Sequence, residues 1–318
     1  MSWLVVGGAG YIGSHVVRHL HAEGAQVVVL DDLSNGRRER VPQGVPLVVA
    51  SSGDRDAVCD ALDRHRITGV VNLAARKSAP ESVEEPLGYY RDNVENMRVL
   101  LEAMVEKGVR RMLFSSSAAV YGRPAATRID EETPTEPINP YGETKLMCEW
   151  MLRSAGNAHG LSWIALRYFN VVGVEDPVCC ETNGDNLFPL VFRRITAGEP
   201  AVVCGCNFPT PDGTGVRDYV HVADVADAHA AAVARLETDT CAEVYNVGTG
   251  DGYSVLEVLD AVREVTGLPV DVEIQPARPG DPSEVVAEVD KIGRDLGWKA
   301  SNGLPEMVNS TWQAFRRT

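Results

Sequence analysis

Short apolar runs rich in Val, Ile and Leu alternate with longer amphipathic stretches along the amino-terminal half of the chain. Such short runs predict strands buried on both faces. They are Leu4–Val6, Val27–Leu30, Leu47–Val49, Val70–Leu73, Met112–Phe114 and Ile164–Leu166. The intervening stretches predict helices, which include Ile12–Glu23, Arg55–Arg66, Val94–Lys107 and Gly142–His159. Regular alternation of strand and helix indicates an α/β fold, a Rossmann-type doubly wound parallel sheet.

The alternation breaks after Arg167, where Gly, Pro and Asn become frequent up to about Gly215. Two more short strands are predicted near Asp218–His221 and Val244–Val247. We therefore predict two domains: residues 1–170 plus about 214–250 form the Rossmann domain, and about 171–213 plus 251–318 form a smaller substrate-binding domain.

Composition limits the function classes. The 318 residues carry a net charge of -15, which disfavours nucleic-acid and anionic-membrane partners because both require a positive field. No apolar run approaches the roughly 18 to 20 residues that a bilayer span needs, so we expect a cytoplasmic protein. The seven cysteines lack C-x-x-C spacing, and we predict no metal site and no disulfide.

A glycine-rich turn lies between the first predicted strand and helix. Gly7, Gly10 and Gly13 fit G-x-x-G-x-x-G, and Gly8 gives the alternative G-x-G-x-x-G. In this position, missing side chains let a pyrophosphate approach the backbone, and the helix amino terminus offers unpaired N–H groups. The turn and the helix start at Tyr11 and Ile12 therefore predict a dinucleotide site.

An acidic residue ends the second predicted strand. Asp31 can accept hydrogen bonds from an adenosine ribose and would repel a 2′-phosphate, which favours NAD over NADP. Arg37 and Arg38 lie nearby and leave NADP open.

Tyr141 and Lys145 lie one turn apart on a predicted helix, and the strand before it ends in Ser115, Ser116 and Ser117. Ligands of doubly wound sheets bind at the carboxyl edge, so a serine and the Tyr/Lys pair can meet over a nicotinamide. A nearby ammonium favours the phenolate, which makes the tyrosine a usable base.

The chain resembles the extended short-chain dehydrogenases/reductases, and within them the UDP-galactose 4-epimerases, along nearly its whole length. The matching stretches are GGAGYIG, LDDLSNG, LAARKSAPESVEEPLGYYRDNV, FSSSAAVYG, NPYGETK, LRYFN, GDNLFP, PTPDGTGVRDYVHVAD, YNVGTG and RPGD. The segment GTGVRDYVHV is the most specific to sugar-nucleotide epimerases.

The resemblance implies roles for individual residues. Ser117, Tyr141 and Lys145 match the catalytic residues, with Tyr141 as base. The implied NAD-binding set contains Gly7, Gly10, Tyr11, Ile12, Gly13, Asp31, Asp32, Asn35, Lys77, Asn93, Tyr141, Lys145 and Tyr168. The implied sugar-nucleotide set contains Ser117, Tyr141, Asn170, Asn186, Leu187, Arg217, Arg278 and Asp281.

The implied reaction is C4 epimerisation of a UDP-hexose through a transient 4-keto sugar, with NAD recycled on the enzyme. A UDP-glucuronate 4-epimerase or another sugar-nucleotide enzyme of the same family is the alternative. Ser117-Ala118-Ala119 lacks the acid and base that 4,6-dehydratases carry there. A protein that binds NAD without catalysis usually lacks the tyrosine or the lysine, and this chain has both.

Other features bear on the substrate and the assembly. The segment from Val171 to Asp185 is atypical for the family and leaves the identity of the hexose open. The sequence also leaves open whether the nucleotide is uridine or thymidine. Val285 aligns with a gate position where a tyrosine blocks 2-acetamido sugars, so we expect those sugars to be admitted. Two helices carry more apolar residues than one sheet face needs. As in related enzymes, this surplus predicts a homodimer; the alternative is core packing. These residues are Val94, Met97, Leu101 and Met104, with Leu146, Trp150 and Met151.

Overall fold

The computed structural model describes residues 1–180, 186–278 and 281–317. Within them the strands are β1 Ser2–Val6, β2 Gln26–Asp31, β3 Leu47–Val49, β4 Gly69–Asn72, β5 Arg111–Ser117, β6 Arg128–Ile129, β7 Ser162–Tyr168, β8 Asn170–Val172, β9 Ala201–Cys204, β10 Val216–His221, β11 Ala242–Val247, β12 Gly252–Ser254, β13 Val272–Gln275 and β14 Glu284–Ala287. The α-helices are α1 Tyr11–Ala22, α2 Arg55–Arg64, α3 Ala79–Glu84, α4 Pro86–Tyr89, α5 Asn96–Glu106, α6 Pro140–His159, α7 Leu187–Thr196, α8 Val222–Thr238, α9 Val255–Thr266, α10 Asp290–Leu296 and α11 Leu304–Phe315.

Seven parallel strands form the main sheet, in the order β11-β7-β5-β4-β1-β2-β3. The chain moves outwards in both directions from β1, and this confirms the predicted Rossmann-type doubly wound fold. Apolar clusters cover both faces: one contains Val5, Val29 and residues of α8, and the other contains Leu4, Val28 and residues of α2 and α5. Burial on both faces explains why these strands are continuous apolar runs.

The helix predicted at Val94–Lys107 is longer in the structure. It begins at Pro86 as α4, passes through a π-helical segment at Tyr90–Glu95, and continues as α5 to Glu106. The wider turn contains Asn93, whose buried side chain faces α6. Polar residues in this turn hid the helical pattern from the sequence.

A second sheet of five strands surrounds β10, which pairs with β8, β12 and β14, while β6 pairs with β14. β9 and β13 form a separate two-stranded sheet. The third apolar cluster joins these strands to α7, α9 and α11, and includes Phe188, Phe192 and Trp312. β10 thus belongs to the second sheet, whereas α8 and β11, which follow it, pack with the main sheet.

No helix in the described ranges is long and apolar enough to cross a membrane. In the same ranges, no group of three or more His, Cys, Asp or Glu side chains could hold a metal ion.

Candidate active site

The glycine turn between β1 and α1 leaves room for a ligand at the backbone. Gly7 has φ +80°, a conformation that favours glycine, and a Cβ there would lie 2.7 Å from the Ala74 nitrogen. A Cβ on Gly13 would lie 2.1 Å from the Gly7 oxygen. The residue before α1 is Gly10, which has no side chain to cap the amides of Tyr11 and Ile12. These first-turn N–H groups can therefore bind a pyrophosphate.

The loop after β2 lies beside the glycine turn. The Asp31 carboxylate accepts hydrogen bonds from the Ala9 and Leu33 amides, each at 2.9 Å, and the Arg37 amide donates to the Ala9 oxygen at 3.0 Å. Each Asp31 oxygen keeps lone-pair capacity for a ribose hydroxyl. Asp32 accepts hydrogen bonds from the Ser34 amide and hydroxyl and, like Asn35, is exposed.

The loop after β4 brings a cation to the same place, because Lys77 Nζ lies 5.9 Å from the centre of the Tyr11 ring. Asn93 holds this loop: its Oδ1 accepts from the Arg76 amide at 2.8 Å, and its Nδ2 donates to the Arg76 oxygen at 3.1 Å. Nδ2 also donates to Thr144 Oγ1 on α6 at 3.0 Å. Asn93 therefore fixes the backbone next to Lys77 with its side chain already engaged.

Local sequence fixes the start of α6. The Asn139 side chain accepts from the Gly142 amide at 2.9 Å and Pro140 occupies the first turn, a common helix start. A Cβ on Gly142 would lie 2.6 Å from the Ala119 oxygen, so glycine lets the helix approach the end of β5 closely. Tyr141 consequently faces Ser117.

Ser117, Tyr141 and Lys145 meet at the carboxyl edge of the main sheet. The Ser117 and Tyr141 side chains form a hydrogen bond, which lowers the Tyr141 pKa, while burial has the larger effect and raises it. Lys145 is 4% exposed, its Nζ donates to the Ser115 oxygen at 2.8 Å, and it lies 5.9 Å from the Tyr141 ring centre. Burial lowers the Lys145 pKa to about 8. At neutral pH and without cofactor, Tyr141 is therefore a phenol and most Lys145 side chains carry a proton.

Tyr168 ends β7 with its hydroxyl in the core. It lies 2.7 Å from Ser115 Oγ and 2.6 Å from His229 Nε2, and His229 Nδ1 lies 2.8 Å from the Val225 oxygen. Because Nδ1 faces a carbonyl, it carries the proton, and Nε2 accepts from Tyr168. Burial lowers the His229 pKa to about 4, so this chain of hydrogen bonds stays neutral and oriented.

Several residues assigned to the sugar nucleotide lie on β10 or beside it. Arg217 Nη2 donates to Asp281 Oδ1 at 3.1 Å, Asn170 pairs with Tyr219 in the strand ladder, and Val285 pairs with Arg217 on β14. These contacts bring the predicted Arg217, Asp281, Asn170 and Val285 together.

Asn186 and Leu187 lie apart from that group, whereas Arg278 contacts Asp281 through its backbone. Asn186 precedes α7, whose first residue is Leu187, and lines a small cavity with Tyr11 and Val171. The Arg278 oxygen accepts from the Asp281 amide at 3.1 Å, and its side chain is exposed.

The atypical segment after β8 packs against α1. The Tyr11 hydroxyl donates to the Gly173 oxygen at 2.5 Å, the Glu175 amide donates to His15 Nε2 at 3.2 Å, and Arg18 pairs with Asp176 at 2.9 Å. The remainder of the predicted atypical loop, 181–185, lies outside the described residues.

Sequence reasoning missed several buried polar residues next to the site. Glu149 and Arg167 form an ion pair, and Asp218 accepts four hydrogen bonds beside Arg217. Glu149 follows Lys145 by four residues, and that spacing was the available signal. The partners of Asp218 and His229 come from distant segments and gave none.

Known proteins resemble this chain closely. The sequence model of the NAD dependent epimerase/dehydratase family matches residues 3–248. The UDP-glucose 4-epimerase of Azospirillum brasilense is 45% identical over 303 residues, which cover 93% of this chain and 86% of that protein. The chain belongs to the NAD dependent epimerase/dehydratase family, within the extended short-chain dehydrogenases/reductases.

Two solved structures match throughout. The UDP-glucose-4-epimerase of Stenotrophomonas maltophila, with bound NAD and formylated UDP-arabinopyranose, is 37% identical, with TM-score 0.96 over 100% of this chain and 98% of that one. The UDP-Glc/GlcNAc 4-epimerase of Campylobacter jejuni is 34% identical, with TM-score 0.88 over 100% and 99%. NAD is the cofactor of this chain, and its glycine turn and Asp31 fit it.

Proposed function

We propose that Ser117, Tyr141 and Lys145 catalyse the NAD-dependent C4 epimerisation of a UDP-hexose. Family membership and the near full-length UDP-glucose 4-epimerase relatives support this reaction. The observation that carries it is the convergence of the three side chains at the sheet edge next to the glycine turn.

Tyr141 accepts the proton of the sugar 4-hydroxyl and later returns it. Its hydrogen bond to Ser117 gives that proton a path and provides a donor for the developing carbonyl oxygen. Burial raises the Tyr141 pKa, and the Lys145 ammonium opposes that rise because a nearby positive charge favours the phenolate. When bound, NAD supplies the acceptor that takes a hydride from C4 and returns it to the opposite face.

The chain has suitable groups for each part of NAD. The amides of the turn from Gly7 to Gly13 would hold the pyrophosphate. Asp31, Asp32 and Asn35 would hold the adenosine half of NAD, and Lys77 would bind its ribose. Asn93 would act through the backbone of the Lys77 loop. Tyr168 would support the nicotinamide end through Ser115 rather than through a free hydroxyl.

The sugar nucleotide would lie along β10. Arg217 and Arg278 would bind the diphosphate, and Asp281 would accept from the uridine ribose while it orients Arg217. Asn170, Asn186 and Leu187 would line the path between ribose and sugar. Val285 packs in the apolar cluster that contains Phe169, and its small side chain supports admission of 2-acetamido sugars.

The same proposal includes a homodimer. Met97, Met104 and Leu146 are buried in the core, so core packing accounts for them, but an apolar groove of about 660 Å³ remains between α5 and α6. Trp150, 49% exposed, lies in this groove with Met151. A second copy would cover it. Sedimentation velocity should give a dimer for the parent and a monomer for Trp150→Glu; a monomeric parent would contradict this part.

The two-domain division and the cytoplasmic location complete the proposal. The separate apolar cluster of α7, α9 and α11 supports a second domain built from residues about 171–213 and 251–318. The buried thiols of Cys148 and Cys179 form no disulfide within the described residues, which supports a reducing compartment.

Tyr141→Phe tests the chemistry. The variant keeps the ring but removes the hydroxyl, so turnover of UDP-galactose should fall by about 10²- to 10⁴-fold, the usual contribution of a general base. The urea-unfolding curve of the variant should match the parent and serves as the folding control. Turnover within twofold of the parent would contradict the proposed role.

A further inference from the structure

A buried ion pair lies directly below the catalytic residues and takes no part in the chemistry described so far. Glu149 follows Lys145 by one helical turn on α6 and is 5% exposed. Arg167 on β7 donates to both carboxylate oxygens of Glu149, from Nε to Oε1 at 3.0 Å and from Nη2 to Oε2 at 2.6 Å. Ser116, next to Ser117, donates to Oε1 at 2.5 Å. The carboxylate is therefore held by three hydrogen bonds from two residues.

Further hydrogen bonds fix the arginine. Arg167 Nη1 donates to the Tyr121 hydroxyl at 2.9 Å, and that hydroxyl donates to Asn246 Oδ1 at 2.7 Å. The guanidinium also lies over the Tyr121 ring, 4.8 Å from its centre. The network joins β5, α6, β7 and β11, so the Glu149 charge has a fixed position relative to Lys145.

Stability alone does not account for such a pair, because replacing a buried ion pair with apolar side chains is often neutral or stabilising. The position of the Glu149–Arg167 pair next to Lys145 points to an electrostatic role. The groups that face Lys145 are the Ser115 carbonyl and Phe114 ring from β5 and Tyr141, Cys148 and Glu149 from its own helix. Tyr168 on β7 faces Tyr141.

We propose that Glu149 is a positioning residue for the reaction: its anchored carboxylate keeps Lys145 protonated and so sets the pH range over which Tyr141 works. Burial favours loss of the Lys145 proton, and an anion one turn away opposes that loss. Arg167 holds the Glu149 carboxylate in place. Its positive charge offsets the negative charge of Glu149 at longer distances. This inference rests on the proposed roles of Tyr141 and Lys145.

Glu149→Gln tests the inference through the pH profile of kcat/KM for UDP-galactose. Without the nearby negative charge, each proton leaves the Tyr141–Lys145 pair more easily. Both limbs of the bell should therefore move to lower pH by about one unit, the lower end of the range for a charge a few ångströms away. A residue that only braces the fold would lower kcat and leave both limbs in place.

Two further variants keep the result interpretable. Glu143→Gln removes a carboxylate from the same helix, but Glu143 accepts from Tyr90 and is partly exposed, so the limbs should not move. Glu149→Met with Arg167→Met removes both charges. Because Glu149 acts on the charge of Lys145 and Arg167 has no resolved effect there, the limbs should move in the same direction by a smaller amount. This double variant replaces Glu149→Gln if the single variant does not fold.

A second readout separates this inference from the proposed function. The ultraviolet absorbance of tyrosinate, measured against pH in the holoenzyme, isolates Tyr141 when a matched Tyr141→Phe curve is subtracted. The Tyr141 signal should appear at lower pH in Glu149→Gln than in the parent, whether or not the protein turns over UDP-galactose. A parent with no turnover would contradict the proposed function alone. Unmoved limbs and an unmoved tyrosinate signal in the folded variants would overturn the role of Glu149.

Discussion

Asp218 provides the sharpest stability prediction, because it is fully buried beside Arg217 and its carboxylate accepts four hydrogen bonds. Oδ1 accepts from the amide and hydroxyl of Thr249, each at 2.8 Å. Oδ2 accepts from the amides of Gly250 at 3.0 Å and Ala287 at 3.1 Å. Burial raises the Asp218 pKa to about 6, so at neutral pH the group is ionised and all four donors are satisfied.

Asp218→Asn has the same shape but cannot accept at both positions. If the amide oxygen faces Thr249, the Gly250 and Ala287 amides both lose their acceptor. In the flipped orientation the Thr249 hydroxyl can turn to accept, but the Thr249 amide cannot. Each unsatisfied buried donor costs about 1–3 kcal/mol, and the remaining bonds lose their charge assistance. We therefore expect a loss of about 2–4 kcal/mol.

Urea unfolding followed by tryptophan fluorescence at neutral pH measures this loss. Asp251→Asn is the matched control, since Asp251 is exposed on the same turn and its substitution should stay within about 0.5 kcal/mol. Loss of Asp218 should also weaken UDP binding, because the strand that carries Arg217 would be less well fixed. A destabilisation below about 1 kcal/mol for Asp218→Asn would refute the reasoning.

Further predictions concern pH, cofactor and substrate. The His229 pKa is lowered to about 4, so its neutral form stabilises the fold above about pH 6.5, and about 3 kcal/mol is lost as pH falls towards 4. His229→Gln should flatten this part of the unfolding free-energy curve, and an unchanged slope would argue against it. Gly13→Ala places a Cβ against the Gly7 oxygen and should reduce the NAD content of the purified protein at least about tenfold. Full occupancy by NAD would contradict a binding site at the glycine turn. Val285→Tyr should reduce turnover of UDP-GalNAc more than that of UDP-galactose, and a parent active only on UDP-galactose would refute the open gate.

The sequence predicted those parts of the molecule in which short-range pattern and structure agree. The buried runs at Leu4–Val6 and Val27–Leu30 lie in β1 and β2, and the spacing of Tyr141 and Lys145 puts both on one face of α6. The predicted helix Gly142–His159 begins two residues after the start of α6 at Pro140.

Features that depend on distant partners could not be predicted. Met97 looked like a surplus surface residue but packs under the main sheet. The Tyr168 hydroxyl lies 2.6 Å from His229 Nε2, and His229 is on a helix that sequence spacing does not connect with Tyr168. The π-helical turn around Asn93 arises from packing against α6 and has no local signal.

Proton NMR of the sugar anomeric region tests the central claim most directly. Purified protein without added cofactor is incubated with UDP-galactose. If the account is correct, the anomeric signal of UDP-glucose appears and approaches a constant ratio, because the enzyme retains its NAD and the cofactor is regenerated in each cycle. If the spectrum is unchanged even after NAD is supplied, C4 epimerisation of this hexose is not the reaction that Ser117, Tyr141 and Lys145 perform.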